Sequence, residues 1–162
     1  MTVNTNYEVS SEGAVRHWEI PQARLENTAP TVTQAAAVIS LLPGTQLTGT
    51  VLTVDATDDI AVIDFTTSMV YAHDVRNVRT YNQAAEATWG VINIGDPIYY
   101  DGGATMVALG LFLSTSPLDA AGTANPLFGF AVPAYWDDVY PKGAIGAATA
   151  TDVPVMQIGA GR

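Results

Sequence analysis

The sequence predicts a mainly β domain, a compact small β-barrel or β-tulip/sandwich-like domain, with an extended N-terminal arm and one or two short helices. Three observations carry that expectation. From Leu47 onward, runs rich in Val, Ile, Thr and Tyr are separated by Gly, Pro and Asp breaks, the pattern of short strands and turns. Residues 88–102, Thr-Trp-Gly-Val-Ile-Asn-Ile-Gly-Asp-Pro-Ile-Tyr-Tyr-Asp-Gly, spell a strand, a corner and a hairpin. Phe128, Phe130 and Val132 alternate with Gly129 and Ala131, a large/small rhythm suited to a tightly curved barrel.

The chain divides by composition into an arm, residues 1–46, and a β domain, residues 47–162. In the arm, Val15 to Ile20 alternate apolar and polar side chains and read as a short strand ended by Pro21. Thr31 to Leu42 can be a helix opened by Pro30 and stopped by Pro43-Gly44, or part of a loosely ordered arm. An extended segment of this kind can cover a partner's surface, ordering only on binding, or it can fold back on its own domain.

In the β domain, Gly49 to Val54 and Ile60 to Phe65 read as strands joined by the Asp55–Asp59 turn. Met69, Tyr71, His73 and Val75 should share one face of the next strand. Asn82 caps a second possible helix running to Trp89. Gly95 supplies the dihedrals of a corner and Pro97 the first position of a strand, because Pro fixes φ and offers no ladder donor. Ile98 to Tyr100 run into an Asp101-Gly102 turn, and Met106 to Leu113 return. Asp119 to Asn125 read as a flexible polar loop. Val153 to Ile158 close the sheet, and Pro154 marks an edge strand or an outward-pointing missing donor.

At 162 residues the chain is the size of one domain, which can bury about 70% of its extended surface and so hold its own core. Charged residues make up only 14% of it, against roughly 25% in ordinary soluble domains. A surface this poor in charge suits a protein pressed against neighbours, and suits a plain β-sandwich as well. The formal net charge is -10, from 16 acids and 6 bases, and Lys142 is the single lysine. That balance argues against a nucleic-acid binder, which needs a basic footprint, and against anionic membranes. Cys is absent, which removes disulfides and thiolate metal sites. No apolar run approaches the ~20 residues of a membrane span, and Met1 to Thr5 lack the charged start of a secretory signal, so synthesis in a cytoplasm is the default.

Catalytic constellations are not visible, and the expectation is of no enzyme, no cofactor and no metal. There is no Gly-x-Ser-x-Gly elbow. His17 and His73 sit in strand-like alternation, where a half-buried structural role outweighs a catalytic one. Asp55, Asp58 and Asp59 lack the ligand spacing of a calcium loop and read as a solvated turn. The Pro133–Lys142 loop holds Tyr135, Trp136 and Tyr140 beside Asp137 and Asp138; a protein interface, core packing and glycan stacking all remain open for it.

Trp89, Gly95-Asp96-Pro97-Ile98-Tyr99-Tyr100-Asp101, Leu127-Phe128-Gly129-Phe130-Ala131-Val132 and Val153-Pro154-Val155-Met156-Gln157-Ile158, with an Asn6-Tyr7-Glu8-Val9 and Glu12-Gly13 start, resemble a family of small capsid cement (decoration) proteins of tailed bacteriophages. Tyr100 stands where a Trp is common in that family, and residues 14–46 are longer and more polar than its usual N-terminal strands. The resemblance implies a virion structural protein made in the host cytoplasm. It implies a homotrimer seated outside the expanded head, where subunits of the major capsid protein meet. Under it, Tyr7, Val15, Trp18 and Ile20 of the arm and Tyr135, Trp136 and Tyr140 of the loop are interface residues, while Trp89, Tyr99 and Phe130 are core. The other reading is a carbohydrate- or receptor-binding β module of a virion fibre, suggested by Tyr135, Trp136 and Asp138.

Overall fold

The computed structural model describes residues 17–21, 36–39, 47–55, 57–78, 80–82, 85–88, 92–102, 111–133 and 149–158. These residues form β1 (His17–Pro21), β2 (Ala36–Ile39), β3 (Leu47–Asp55), β4 (Ile60–Asp64), β5 (Val70–Arg76), β6 (Thr80–Asn82), β7 (Ala85–Thr88), β8 (Pro97–Tyr100), β9 (Leu113–Ser114), β10 (Leu127–Ala131) and β11 (Thr149–Gln157). The fold is mainly β, as the sequence indicates. A closed five-stranded barrel runs β10-β11-β5-β9-β8, a four-stranded sheet runs β1-β4-β3-β2, and β6 pairs with β7.

In both segments expected to be helical, the described residues are strands. Ala36–Ile39 pair antiparallel with β3, and Ala85–Thr88 pair with Thr80–Asn82. Neighbouring strands override the weak helix preference of short Ala-rich runs, which lack the length to hold a helix alone. Two pieces of the presumed arm therefore belong to the sheet: β1 pairs with β4 along its whole length, and β2 with β3.

Local chemistry places the turns where the sequence puts them. The Asp55 carboxylate accepts from the backbone N–H of Thr57 (2.8 Å) and Asp58 (3.2 Å), and Asp59 takes φ 56° to swing the chain into β4. Gly95 has φ 89°, and the Asp96 carboxylate accepts from the Asn93 N–H at 2.8 Å, so the corner before β8 holds itself together. Pro97 is the first residue of its strand. The Asp119–Asn125 segment is a bonded turn and not a loose loop: Asp119 accepts from the N–H of Ala121 (2.9 Å) and Thr123 (2.7 Å), beneath the Leu118–Ala124 bridge.

Inside the barrel, Val75, Ile92, Ile98, Tyr100, Phe112, Leu113, Phe128 and Val155 form the larger core cluster. Tyr71, His73 and Val75 do share a face, while Met69 precedes the strand and is exposed. The expected alternation in β10 is broken by a bulge, where the register with β8 shifts between Leu127 and Gly129. Phe128 consequently points inward and fully buried, whereas Phe130 lands on the outer face, half-buried. Tyr99 likewise faces out and Tyr100 in, so Ile98, Tyr100 and Phe128 take the core places expected of Tyr99 and Phe130; Trp89 lies outside the described residues.

Strand β11 is central, not an edge: it pairs with β10 on one side and β5 on the other. Pro154 fits there because its peptide faces the β10 side just past the last rung, Ala131 to Val155, where its carbonyl still accepts from the Val132 N–H at 2.9 Å. Closure of the barrel rests on one parallel rung, Arg76 to Ser114. Beside it the Thr115 hydroxyl accepts from the Val78 N–H (2.9 Å) and donates to the Val78 carbonyl (2.8 Å), which reinforces a weak seam.

Gly129 is the tightest point of the wall, because a Cβ there would overlap the Met156 carbonyl of β11. Gly129→Ala must force the two strands apart, and it is expected to lower stability by about 2 kcal/mol or more in urea denaturation. An unchanged midpoint would mean the wall can give.

Candidate interaction surface

Two arrangements stand out from the rest of the molecule: a buried polar joint between the sheet and the barrel, and an apolar outer wall on the barrel.

The joint is centred on Gln157, 1% exposed. Its Nε2 donates to the carbonyls of Asp64 (3.1 Å) and Thr66 (2.8 Å), and its Oε1 accepts from the Thr50 hydroxyl at 2.8 Å. Asp64, fully buried, accepts from the Thr66 N–H (2.8 Å) at one carboxylate oxygen and from the Tyr71 hydroxyl (2.5 Å) at the other, while His17 Nε2 lies 3.6 Å from the oxygen that takes the Thr66 N–H. Burial, reinforced by the hydrogen bond and the charge of Asp64, pushes the Tyr71 phenol well above its ordinary pKa, so it stays a donor.

His73 completes the joint. Its Nε2 is 3.4 Å from Thr50 Oγ1, whose one proton already goes to Gln157, so His73 donates there and Nδ1 carries the lone pair. That Nδ1 is buried without a hydrogen-bond partner among the described residues, and the imidazole packs edge-to-face with Phe128, ring centroids 5.3 Å apart. Desolvation pulls the imidazole pKa down to about 4, so His73 is neutral at ordinary pH. At 3% exposure His73 sits deeper than the half-buried or surface place its alternation suggested. Among the described residues no three His, Cys, Asp or Glu side chains gather as a metal site. Neither Gln157 nor Asp64 was singled out from the sequence; a polar residue in a closing strand gives no sign of its burial until its partners are placed.

The outer wall follows from register. Val70 of β5 stands opposite Met156 of β11, Met156 opposite Phe130 of β10, and Phe130 opposite Pro97 of β8. Directly opposed residues point to the same face of a sheet, so one apolar row crosses four strands on the outside of the barrel. Val70 is 46% and the adjoining Met69 39% exposed, with Ala72 exposed on the next outward position of β5. Antiparallel walls usually alternate apolar inside and polar outside; here the row from Val70 to Pro97 on the outer side is apolar as well. The β10 bulge is what turns Phe130 outward, and no pattern in the sequence announces it.

The interface residues expected from the sequence fall unevenly. Ile20 is 4% exposed and belongs to the chain's own second cluster with Val51, Ala61, Ile63 and Phe65. Trp18 packs against that cluster with its ring 5.1 Å from Phe65. Ile20 therefore has its place in the chain's own core, because β1 pairs with β4, while Trp18 stays half-buried. Tyr7, Val15, Tyr135, Trp136 and Tyr140 lie outside the described residues. No family model, curated protein or solved structure matches the chain.

Gln157→Leu would strand two carbonyls and a hydroxyl in the joint, and the expected loss is roughly 3 kcal/mol in urea denaturation. A loss below about 1 kcal/mol would mean the joint reforms without it.

The His73 site also sets a pH window. Between its unfolded value near 6.5 and its folded value of about 4, the unfolded chain binds a proton that the folded chain refuses. The contribution is fully present above about pH 6.5 and is lost as pH falls toward 4, amounting to roughly 3 kcal/mol. His73→Leu is expected to flatten that part of the stability profile between pH 7 and pH 4 relative to wild type.

Proposed function

We propose that this chain is an assembly module that works by covering surface, and specifically a decoration protein of a tailed-phage head. The observation that carries the reading is the apolar row on the outer barrel wall, in which Val70 and the adjoining Met69 are exposed and Met156, Phe130 and Pro97 half-buried. Contiguous exposed apolar surface on a folded domain marks a place where another molecule sits. The charge-poor, acidic composition and the motif resemblance support the same conclusion.

In this reading the protein sits outside the expanded shell at junctions between major capsid subunits, as a homotrimer, and transforms no molecule. Its contacts exist only on the assembled lattice, so binding stabilises the shell by mass action, and repetition over many sites multiplies a modest contact. Tyr7 and Val15 ahead of β1, and Tyr135, Trp136 and Tyr140 between β10 and β11, are the contact anchors.

The test mixes purified protein with expanded, undecorated shells and follows occupancy and shell melting. Full-length protein is expected to saturate and raise the melting temperature. A version lacking residues 1–16, which leaves β1 intact, is expected to bind at least tenfold more weakly. Absence of binding by the full chain would overturn the proposal; equal binding by the shortened chain would remove the arm from it.

A further inference from the structure

We infer that the four-stranded sheet is a hinged lid on the end of the barrel, and that a proton on His73 opens it.

Sheet and barrel are consecutive in the chain. The strands of the sheet all precede Phe65 and those of the barrel all follow Met69, so the chain passes from one to the other once. Each half also has its own apolar core. Ile20, Val51, Ala61, Ile63 and Phe65 cluster in the sheet, and the barrel cluster that includes Val75, Phe128 and Val155 shares no residue with them. Phe65 is anchored in the sheet, while the Ser68 N–H donates to the Gln157 carbonyl of β11 at 2.9 Å and so belongs to the barrel. Thr66 and Thr67 are what remains as the pivot.

The seam between the halves is polar. It lies where β5 begins and β11 ends, and it is held by the bonds of Gln157 to Thr50, Asp64 and Thr66 and by that of the Tyr71 hydroxyl to Asp64. Water can replace each of these bonds but cannot replace an apolar contact, so the seam parts more easily than either core.

His73 supplies the trigger. With Nε2–H directed at Thr50, a second proton must go to the buried Nδ1, which has no hydrogen-bond partner among the described residues. Thr50 of β3, Tyr71 of β5, Phe128 of β10 and Val153 of β11 stand around or opposite the ring, all uncharged at neutral pH. Asp64 of β4 lies beyond Tyr71, with its oxygens bonded to the Tyr71 hydroxyl and the Thr66 N–H and with His17 of β1 beside it. Asp74 and Arg76 occupy the other face of β5, and the Asp74 carboxylate accepts from the Asp152 N–H at 3.2 Å. A closed seam therefore leaves an imidazolium without an acceptor, and an open one gives it water.

The sign follows from burial. The closed seam lowers the imidazole pKa to about 4 from an ordinary value near 6.5, so opening takes up a proton and grows as pH falls. From pH 7 to pH 5 the open population is expected to rise about twentyfold.

Hydrogen exchange by NMR on the free full-length chain, at pH 7 and pH 5 and corrected for the intrinsic pH dependence of exchange, tests this. The Gln157 side-chain amide is expected to lose about twentyfold in protection, and at pH 5 to be at least about tenfold less protected than the backbone N–H of Ile63 in β4 and Val155 in β11. His73→Leu and His73→Asn carry no titrating ring, and in each the Gln157 protection is expected to change less than about threefold. Equal protection of Gln157, Ile63 and Val155 would mean that the halves open only by unfolding together, and it overturns the inference. Protection of Gln157 that ignores pH in the wild type, or a twentyfold loss that persists in both variants, overturns it as well.

Discussion

Gln157 is the side chain on which the arrangement of the two halves depends. It projects from β11, the middle strand of the barrel wall, into the end of the four-stranded sheet, and its three hydrogen bonds reach Thr50 on β3, Asp64 on β4 and Thr66 just beyond. Carbonyls only accept, so the amide must turn its nitrogen to Asp64 and Thr66 and its oxygen to the Thr50 hydroxyl; no other orientation satisfies all three. Each bond adds only about 1 kcal/mol net, but a displaced joint would leave several buried groups unpaired at 1–3 kcal/mol each. Apolar packing tolerates sliding, whereas this contact specifies one position. The backbone adds to it, since the Gln157 N–H donates to Met69 and its carbonyl accepts from Ser68, both at 2.9 Å.

The same joint explains the character of His73 and Tyr71. Thr50 has one proton, committed to Gln157, so the imidazole can only be the donor and leaves Nδ1 without a partner among the described residues. A proton on that nitrogen would place a cation among apolar rings with no counter-ion beside it, which is why burial lowers its affinity so far. Tyr71 stands on the opposite footing, because its hydroxyl hydrogen is held by a carboxylate. The network is asymmetric in pH as a result: acid challenges it through His73 well before base does through Tyr71.

Legibility in the sequence tracked how local each determinant was. The Asp55 turn, the Gly95 corner and the start of β8 at Pro97 depend on a few consecutive residues, and all were readable. The inward face of β5 was readable from alternation, because no bulge interrupts residues 71–75. What failed needed a partner strand. The bulge between Leu127 and Gly129 moved Phe130 from core to surface, and pairing turned Ala36–Ile39 and Ala85–Thr88 into strands. Ile20 looked free to reach a neighbour until β4 was placed beside it. Gln157 was invisible, since a glutamine in a strand reads as solvent-facing unless the carbonyls it satisfies are known.

Joint and wall are two consequences of one strand. Along β11, Val155 and Gln157 face inward and Met156 faces outward, so a single three-residue step supplies the core, the sheet-to-barrel clamp and the outer apolar row. Gly129 opposite Gln157 lets β10 come close enough for Phe130 to reach that outer row. A substitution that loosened the joint would therefore also disturb the register that aligns Val70, Met156 and Phe130. The clamp holds Val70, Met156 and Phe130 in one register, and an apolar face ordered in advance loses little entropy when another surface covers it.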